Sequence, residues 1–434
     1  MRALGALLLA ACTGGPSSGE PPESPKAPAA PASASPPAEA RATETFTAPA
    51  RPWTAATVHA LALSGPAAAP RTYPRALPVD DTLKATMARL DSIVRRHAAD
   101  PANPWAIAHG MTALGPDFPL SNGKNSVDWL FERYAEPVSA EGRTYLRFPA
   151  AEGEIRIEPH ASLILKTFVE TGVPPSRAVT VQGAAYTVGD VYRGELLSSY
   201  LVPQRNHSSF TSPNDLPWAL SAFVGWAPPG PLAWVALDGT PMSLDDFATF
   251  EVTVLATESQ FLFDAMKAGA SFKKERQGIF GYTCGGAHLL QGAADAVARG
   301  RSTKTARLAV DAQVPLHFWR LPKELEIYDA AMKAAPQHST VLLVQRLKFL
   351  GHWLESATKM AALGLYTPTD EQHRLVAGAA QQITLVVQAL DQSAVYDGMD
   401  ALRKTDGQLY LDLIGDSAHA LHGLKLATGA DGVH

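Results

Sequence analysis

Gln345-Arg-Leu-Lys-Phe-Leu-Gly-His-Trp-Leu-Glu-Ser-Ala-Thr-Lys-Met-Ala-Ala-Leu363 is apolar or small around most of a helix circumference, and Gly364 stops it. A helix that is apolar on nearly all sides is buried, whereas an amphipathic one lies at the surface. The next segment is of the second kind. Thr367-Pro368-Thr369-Asp370-Glu371 supplies a capping hydroxyl and an acidic first turn, and charged and apolar residues then alternate at helical spacing to Leu390.

The same two classes recur along the chain. The buried class runs over Trp105 to Leu114, Pro159 to Thr171, Leu216 to Gly225, Thr283 to Ala298, Gln345 to Leu363 and Leu411 to Ala427. Gly115, Gly172, Gly300, Gly364 and Gly429 follow several of these segments, where a helix C-terminus favours the left-handed conformation. Amphipathic helices are expected over Asp81 to His97, Ser126 to Ala135, Val188 to Leu201, Ser243 to Ala268 and Thr369 to Leu390. Starts of the buried class recur at about 55 to 70 residues, and such units bury their apolar faces only by stacking. The pattern predicts a mainly α fold: an α/α toroid of about six helix pairs with small β-hairpin insertions, over residues 76–434. Two unrelated helical domains are the competing arrangement. One hairpin is expected from Thr144-Tyr-Leu-Arg-Phe and Glu154-Ile-Arg-Ile-Glu near 140–160, and a second from Ala178-Val-Thr-Val and Ala185-Tyr-Thr-Val around Gly183.

The N-terminus is of another character. Arg2, a short apolar run and Leu9-Ala10-Ala11-Cys12 have the layout of a secretory signal over residues 1–11. The stretch resembles a bacterial lipoprotein lipobox. That resemblance implies cleavage before Cys12, a lipidated cysteine bearing palmitate-type acyl chains, and a place in the cell envelope facing the periplasm or beyond. Thr13 in place of Asp after the cysteine then favours the outer membrane. An ordinary signal peptide with an incidental cysteine is the alternative. Residues 12–75 are assigned as the lipidated cysteine and a stalk, since Pro, Ala, Ser, Glu and Thr dominate as far as about Pro52 and bury too little to order themselves.

Net charge is −5 and no dense Lys/Arg cluster appears beyond the small Lys273-Lys274-Glu275-Arg276 loop, so nucleic acid is not an expected partner. With Cys12 lipidated, Cys284 is the remaining thiol of the 2 cysteines, which leaves no intramolecular disulfide in an oxidising compartment. P-loop, dinucleotide-binding, zincin and Gly-x-Ser-x-Gly motifs are absent.

Cys284-Gly-Gly-Ala-His288-Leu-Leu, Leu350-Gly-His352-Trp-Leu-Glu355 and Asp416-Ser-Ala-His419-Ala-Leu-His422-Gly-Leu resemble helices of the prenyltransferase and squalene-cyclase-like α/α-toroid superfamily. More closely they are similar to a group of secreted bacterial toroid-repeat proteins, over roughly residues 155 to 428. The acidic motif and Gln-Trp repeats of terpene cyclases are not found, and the Asp, Cys and His zinc ligands of protein prenyltransferases are not aligned with residues here. The resemblance therefore implies a fold and leaves the activity open.

Polar residues concentrate in the buried class: His109, His160, Cys284, His288, His352, His419 and His422, mostly early in their segments. Parallel inner helices would bring several to one mouth. Cys284 and His288, at i and i+4, fit a thiolate–imidazole nucleophile, a zinc site, or a plain buried cysteine beside a satisfied histidine. Asp412, Asp416 and His419 fit a metal site, an acid/base pair or a hydrogen-bonded network fixing helix register. His352 and Glu355, flanking Trp353, carry the same alternatives. In the loop Asn206 to Asp215, Asn or Asp is expected to cap the following helix. With Trp105, Trp218, Trp226 and Trp234, His207 and that loop could instead line a carbohydrate groove. Cys284, His288, Asp416 and His419 are thus the catalytic candidates, with His109, His160, His352, Glu355 and Trp218 as binding candidates. Two function classes stand: a membrane-anchored binding or envelope-structural module taking a polymer or protein ligand, which the lack of a reaction-naming motif favours, and a hydrolase or lyase on an envelope polymer or polysaccharide, with zinc as its candidate cofactor.

Overall fold

The computed structural model describes residues 51–434. The expected signal peptide, Cys12 and the stalk as far as residue 50 lie outside the described residues.

The described chain is mainly helical, with small two-stranded hairpins between helices. Its first half holds α1 (Asp81–Ala98), α2 (Pro104–Leu114), α3 (Ser126–Tyr134), α4 (Leu163–Glu170), α5 (Val188–Ser198) and α6 (Leu216–Trp226). The second half holds α7 (Leu244–Ala268), α8 (Ala287–Ala298), α9 (Lys304–Ala334), α10 (Ser339–Ala362), α11 (Asp370–Gln392), α12 (Met399–Thr405) and α13 (Gly407–Thr428). Local chemistry sets the starts: Asp80 accepts from the Leu83 amide at 2.7 Å, and Thr369 with Gln372 forms the reciprocal capping box at the head of α11.

Two helix sets separate by burial, as the apolar patterning requires. Every residue of α6 is buried, and so is α10 from Leu350 to Ala362. By contrast α1 buries Leu83, Leu90 and Val94 along one stripe. The buried helices touch in sequence, α2 with α4, α4 with α6, α6 with α8, α8 with α10 and α10 with α13; α13 then returns to α2, which closes the circuit. Around it, α1 packs on α2 and α13, α7 on α6 and α8, α9 on α8 and α10, and α11 on α10. One continuous apolar cluster runs through both sets from Ala55 to Val433. Among the described residues no helix is long and apolar enough to cross a membrane.

Three expectations need correction. The packed chain begins before residue 76: Trp53 bridges to Trp234, and Val58, Leu61 and Tyr73 are buried, because this stretch carries the large apolar residues that the preceding one lacks. The hairpin near 140–160 is paired differently. Strand β1 (Glu136–Ala140) pairs with β2 (Arg143–Arg147), while β3 (Ala151–Glu152) pairs with β4 (Ile155–Arg156). The two-residue Glu141-Gly142 turn, with φ of 49° and 72°, closes the first tightly, so Thr144 to Arg147 already has a partner. The second hairpin, β5 (Ala178–Val181) with β6 (Ala184–Thr187), is paired as expected. Finally, α9 escaped the periodicity because Pro315 and Pro322 interrupt its pattern; proline inside a helix removes a hydrogen bond and costs about 3 kcal/mol.

Candidate functional site

Most of the expected site residues lie on or just ahead of the buried helices, and the fold brings them to one cavity. His109 on α2, His160 ahead of α4, Trp218 on α6, Cys284 and His288 at α8, His352 on α10, and Asp416 and His419 on α13 all line it. Its free space is about 20 Å³, room for roughly one water-sized group.

Cys284 does not sit on the helix with His288. The chain adopts left-handed conformation at Cys284, Gly285 and Gly286, with φ of 54°, 62° and 77°, and α8 begins only at Ala287. A side chain at Gly286 is prohibited twice over, since its Cβ would also lie 2.2 Å from Ile279. This turn, rather than helical spacing, carries the half-buried thiol toward the imidazoles: sulfur and ring nitrogens of Cys284, His288 and His352 lie within 4.8 Å of one another.

His352 meets α13 because Gly351 lets two backbones close. A Cβ at Gly351 would stand 2.8 Å from the Ala420 nitrogen. In consequence the rings of His352 and His419 are 3.8 Å apart, and Glu355, one turn along α10, faces α13 as well. Glu355 accepts from Nδ1 of His419 at 2.9 Å and from Nδ1 of His422 at 2.7 Å. An ionised carboxylate only accepts, so the proton of His419 resides on Nδ1 and Nε2 is left bare. Burial would push the Glu355 carboxyl up, but His419, the nearby His352 ring and the hydrogen bonds from His419 and His422 hold it well below its ordinary value. Nδ1 of His352 lies 3.3 Å from Glu355, short of hydrogen-bond geometry, and its Nε2 has no hydrogen-bond partner among the described residues.

Burial disfavours the charged form at three of these rings. Desolvation lowers His109 and His288 well below the usual imidazole range and takes His419 down to about 4, with neighbouring imidazoles and Lys166 adding to the effect. His109 donates from Nδ1 to the Trp105 carbonyl at 2.8 Å, its ring 3.9 Å from that indole. His160 stacks flat on Trp218 at 3.9 Å, and Trp218 contacts His288 at 4.5 Å.

Other expectations resolve differently. Asp215 does not cap α6; it pairs with His160 at 3.1 Å, while Ser212 accepts from the Asn214 amide. Asn214 accepts from the Thr283 amide at 2.8 Å and so ties the polar loop to the Cys284 turn. His207 lies elsewhere, 2.6 Å from Asp238 on a separate surface pocket, and Trp226 and Trp234 are core residues. Asp416 is not the partner of His419, whose carboxylate is Glu355; Asp416 and Asp412 face Lys348 at 3.8 and 3.4 Å. Lys348 and Lys166 were missed. Their legible signal is a lysine on a helix otherwise apolar all round, where a charge is costly unless it is used.

A wider cavity of about 350 Å³ adjoins the cluster, sharing Trp105 and lined also by Asn103, Arg156, Arg403 and Gln408. Comparison of the chain with protein-family models, curated proteins and solved structures finds no match.

Proposed function

We propose that this chain is a lipid-anchored α/α-toroid protein of the cell envelope whose imidazole-lined end is the active site of a hydrolase or lyase acting on an envelope polymer. The closed circuit of inner helices, wrapped by amphipathic partners, supports the toroid. The lipobox resemblance at Cys12 supports the anchor and, with Thr13, outer-membrane sorting. Two or more acyl chains would hold it stably, since one binds only marginally.

One observation carries the catalytic reading: the imidazoles of His109, His288, His352 and His419 meet a thiol in one cavity, and the buried Nε2 of His352 has no hydrogen-bond partner among the described residues. A buried polar atom left unpaired costs about 1–3 kcal/mol, which packing alone gives no reason to retain. His419, oriented by Glu355 with Nε2 bare, has the arrangement of a general base or metal ligand. Trp105, shared by both cavities, offers a ring face for sugar stacking, and the adjoining 350 Å³ cavity gives a polymer room that the inner one lacks. This moves the balance away from the binding module that the sequence alone favours.

The test incubates the detergent-solubilised full chain with isolated envelope polysaccharides and peptidoglycan, and follows chain shortening by size-exclusion chromatography. Shortening that disappears in His419→Ala is expected. Polymer retained without shortening by both proteins would establish the binding module instead. For the anchor, Cys12→Ser should release the protein from membranes or leave its signal uncleaved; unchanged fractionation with normal processing would overturn it.

A further inference from the structure

We infer that the imidazole-lined end binds one zinc ion through Sγ of Cys284 and ring nitrogens of His288 and His352, leaving a fourth position beside His419 for water or a substrate oxygen. The inference deepens, and rests on, the reading of this end as a reactive site.

The donor set argues for the metal. Thiolate and neutral imidazole together select a borderline-soft cation, whereas calcium and magnesium need oxygen ligands. The candidate ligand atoms lie within 4.8 Å of one another, and tetrahedral zinc with bonds of about 2.0–2.3 Å would draw them to roughly 3.5 Å. The second observation is independent of the cysteine. His352 is 2 % exposed, its Nε2 has no hydrogen-bond partner among the described residues, and its Nδ1 faces Glu355. An imidazole backed by a carboxylate on one nitrogen and bare on the other is the arrangement that metal-bound histidines show. Glu355 accepts a hydrogen bond from His419 at 2.9 Å and stands 3.3 Å from Nδ1 of His352, so one carboxylate faces both imidazoles of the α10–α13 seam. The cavity's 20 Å³ fits one ion-sized or water-sized group. Three protein ligands and an open position are characteristic of catalytic zinc, which lowers the pKa of bound water to about 7.

The experiment measures metal in the full chain, purified without a tag, after zinc loading and removal of excess metal. One zinc per chain is expected in the wild type, with loss of stoichiometric metal in Cys284→Ser and His288→Ala and at least ~10-fold weaker binding in Glu355→Gln. Cobalt substitution should give a tetrahedral visible spectrum with a thiolate-to-cobalt band that vanishes in Cys284→Ser. Because Cys284 lies half-buried in a turn ahead of α8, that variant should keep the wild-type circular dichroism. His317→Gln, a buried histidine stacked on Trp353 outside the cluster, should retain its zinc. Zinc-loaded wild type holding well under one ion per chain, or equal zinc in wild type, Cys284→Ser and His288→Ala, overturns the site. Polymer shortening by metal-free protein would remove the zinc and leave the active-site reading standing. One zinc per chain without shortening of any polymer would remove that reading and leave the zinc.

Discussion

The two ends of the inner helices handle buried polar groups in opposite ways. At the far end, Lys359 bridges Glu170 at 2.6 Å and Asp295 at 3.0 Å, Lys166 pairs with Glu170, and Ser221 donates to Asp295 at 2.8 Å. Each charge there faces an opposite one, and two ammonium groups hold the Glu170 carboxyl down to about 2 against its burial. At the near end desolvation lowers His109, His288 and His419, and these rings line a cavity together with His352, the Cys284 thiol, Lys166, Asp412 and Asp416. The same helices α4, α8, α10 and α13 supply both ends. One end therefore reads as a lock on helix register, while the other turns imidazole rings toward a cavity.

The comparison breaks most readily at Lys359. Lys359→Met leaves Glu170 and Asp295 facing each other's end of α4 and α8 without that cation, and removing one partner of a buried ion pair costs about 3–5 kcal/mol. Equilibrium urea unfolding should show that loss. At the near end, His352→Leu in metal-free protein should change stability by less than ~1.5 kcal/mol, since it replaces an incompletely paired imidazole with an apolar group. Equal losses in the two variants would mean that both ends are structural.

The contrast also shows where sequence reasoning stops. Helix class was legible because burial follows from the distribution of apolar residues over one element: α6 and α10 are buried and α1 is not, as their patterns require. His109, His160, Cys284, His288 and His419 do share a cavity, although His109 and His419 stand at mid-length of α2 and α13 rather than early in them. Pairings across elements were not legible. Which carboxylate faces His419 depends on the approach of α10 to α13 at Gly351, so Glu355 holds the place expected of Asp416. The geometry of Cys284 escaped because three consecutive left-handed residues end the helical spacing on which its relation to His288 was reasoned.

Acid should sharpen the difference between the ends. His419 titrates near 6.5 when unfolded and about 4 when folded, so the unfolded chain takes up the proton first. Stability contributed by that end is present above pH 6.5 and falls as pH drops toward 4. For Glu170 the window lies lower, from 4.5 down to about 2. Urea midpoints of metal-free protein should therefore decline between pH 6.5 and 4.5, and His419→Gln should make that decline shallower. A slope unchanged by the variant would show that His419 is not desolvated as the fold implies.

The smallest effect belongs to the start of α4, where carboxyl groups meet without a cation. Glu158 accepts from the amides of Ser162 and Ile164 at 3.0 and 2.8 Å, and Glu195 accepts from the Ser162 hydroxyl at 3.1 Å. Burial raises both; Glu158 is raised further by the neighbouring Glu195 charge, and Glu195 reaches about 7. The other end of the same helix carries Glu170, shifted downward by two lysines, so one helix displays both outcomes of burying a carboxyl. The sign reverses with them. A carboxyl whose folded value is raised stabilises fully below pH 4.5, and that contribution is lost as pH rises through about 7. Glu195→Gln stays neutral at every pH and can still accept from Ser162. Its melting temperature should exceed that of the wild type by roughly 2 °C at pH 8 and match it at pH 4.5. An equal gain at both pH values would assign the effect to packing; a loss at pH 8 would mean that the ionised Glu195 is held by a partner.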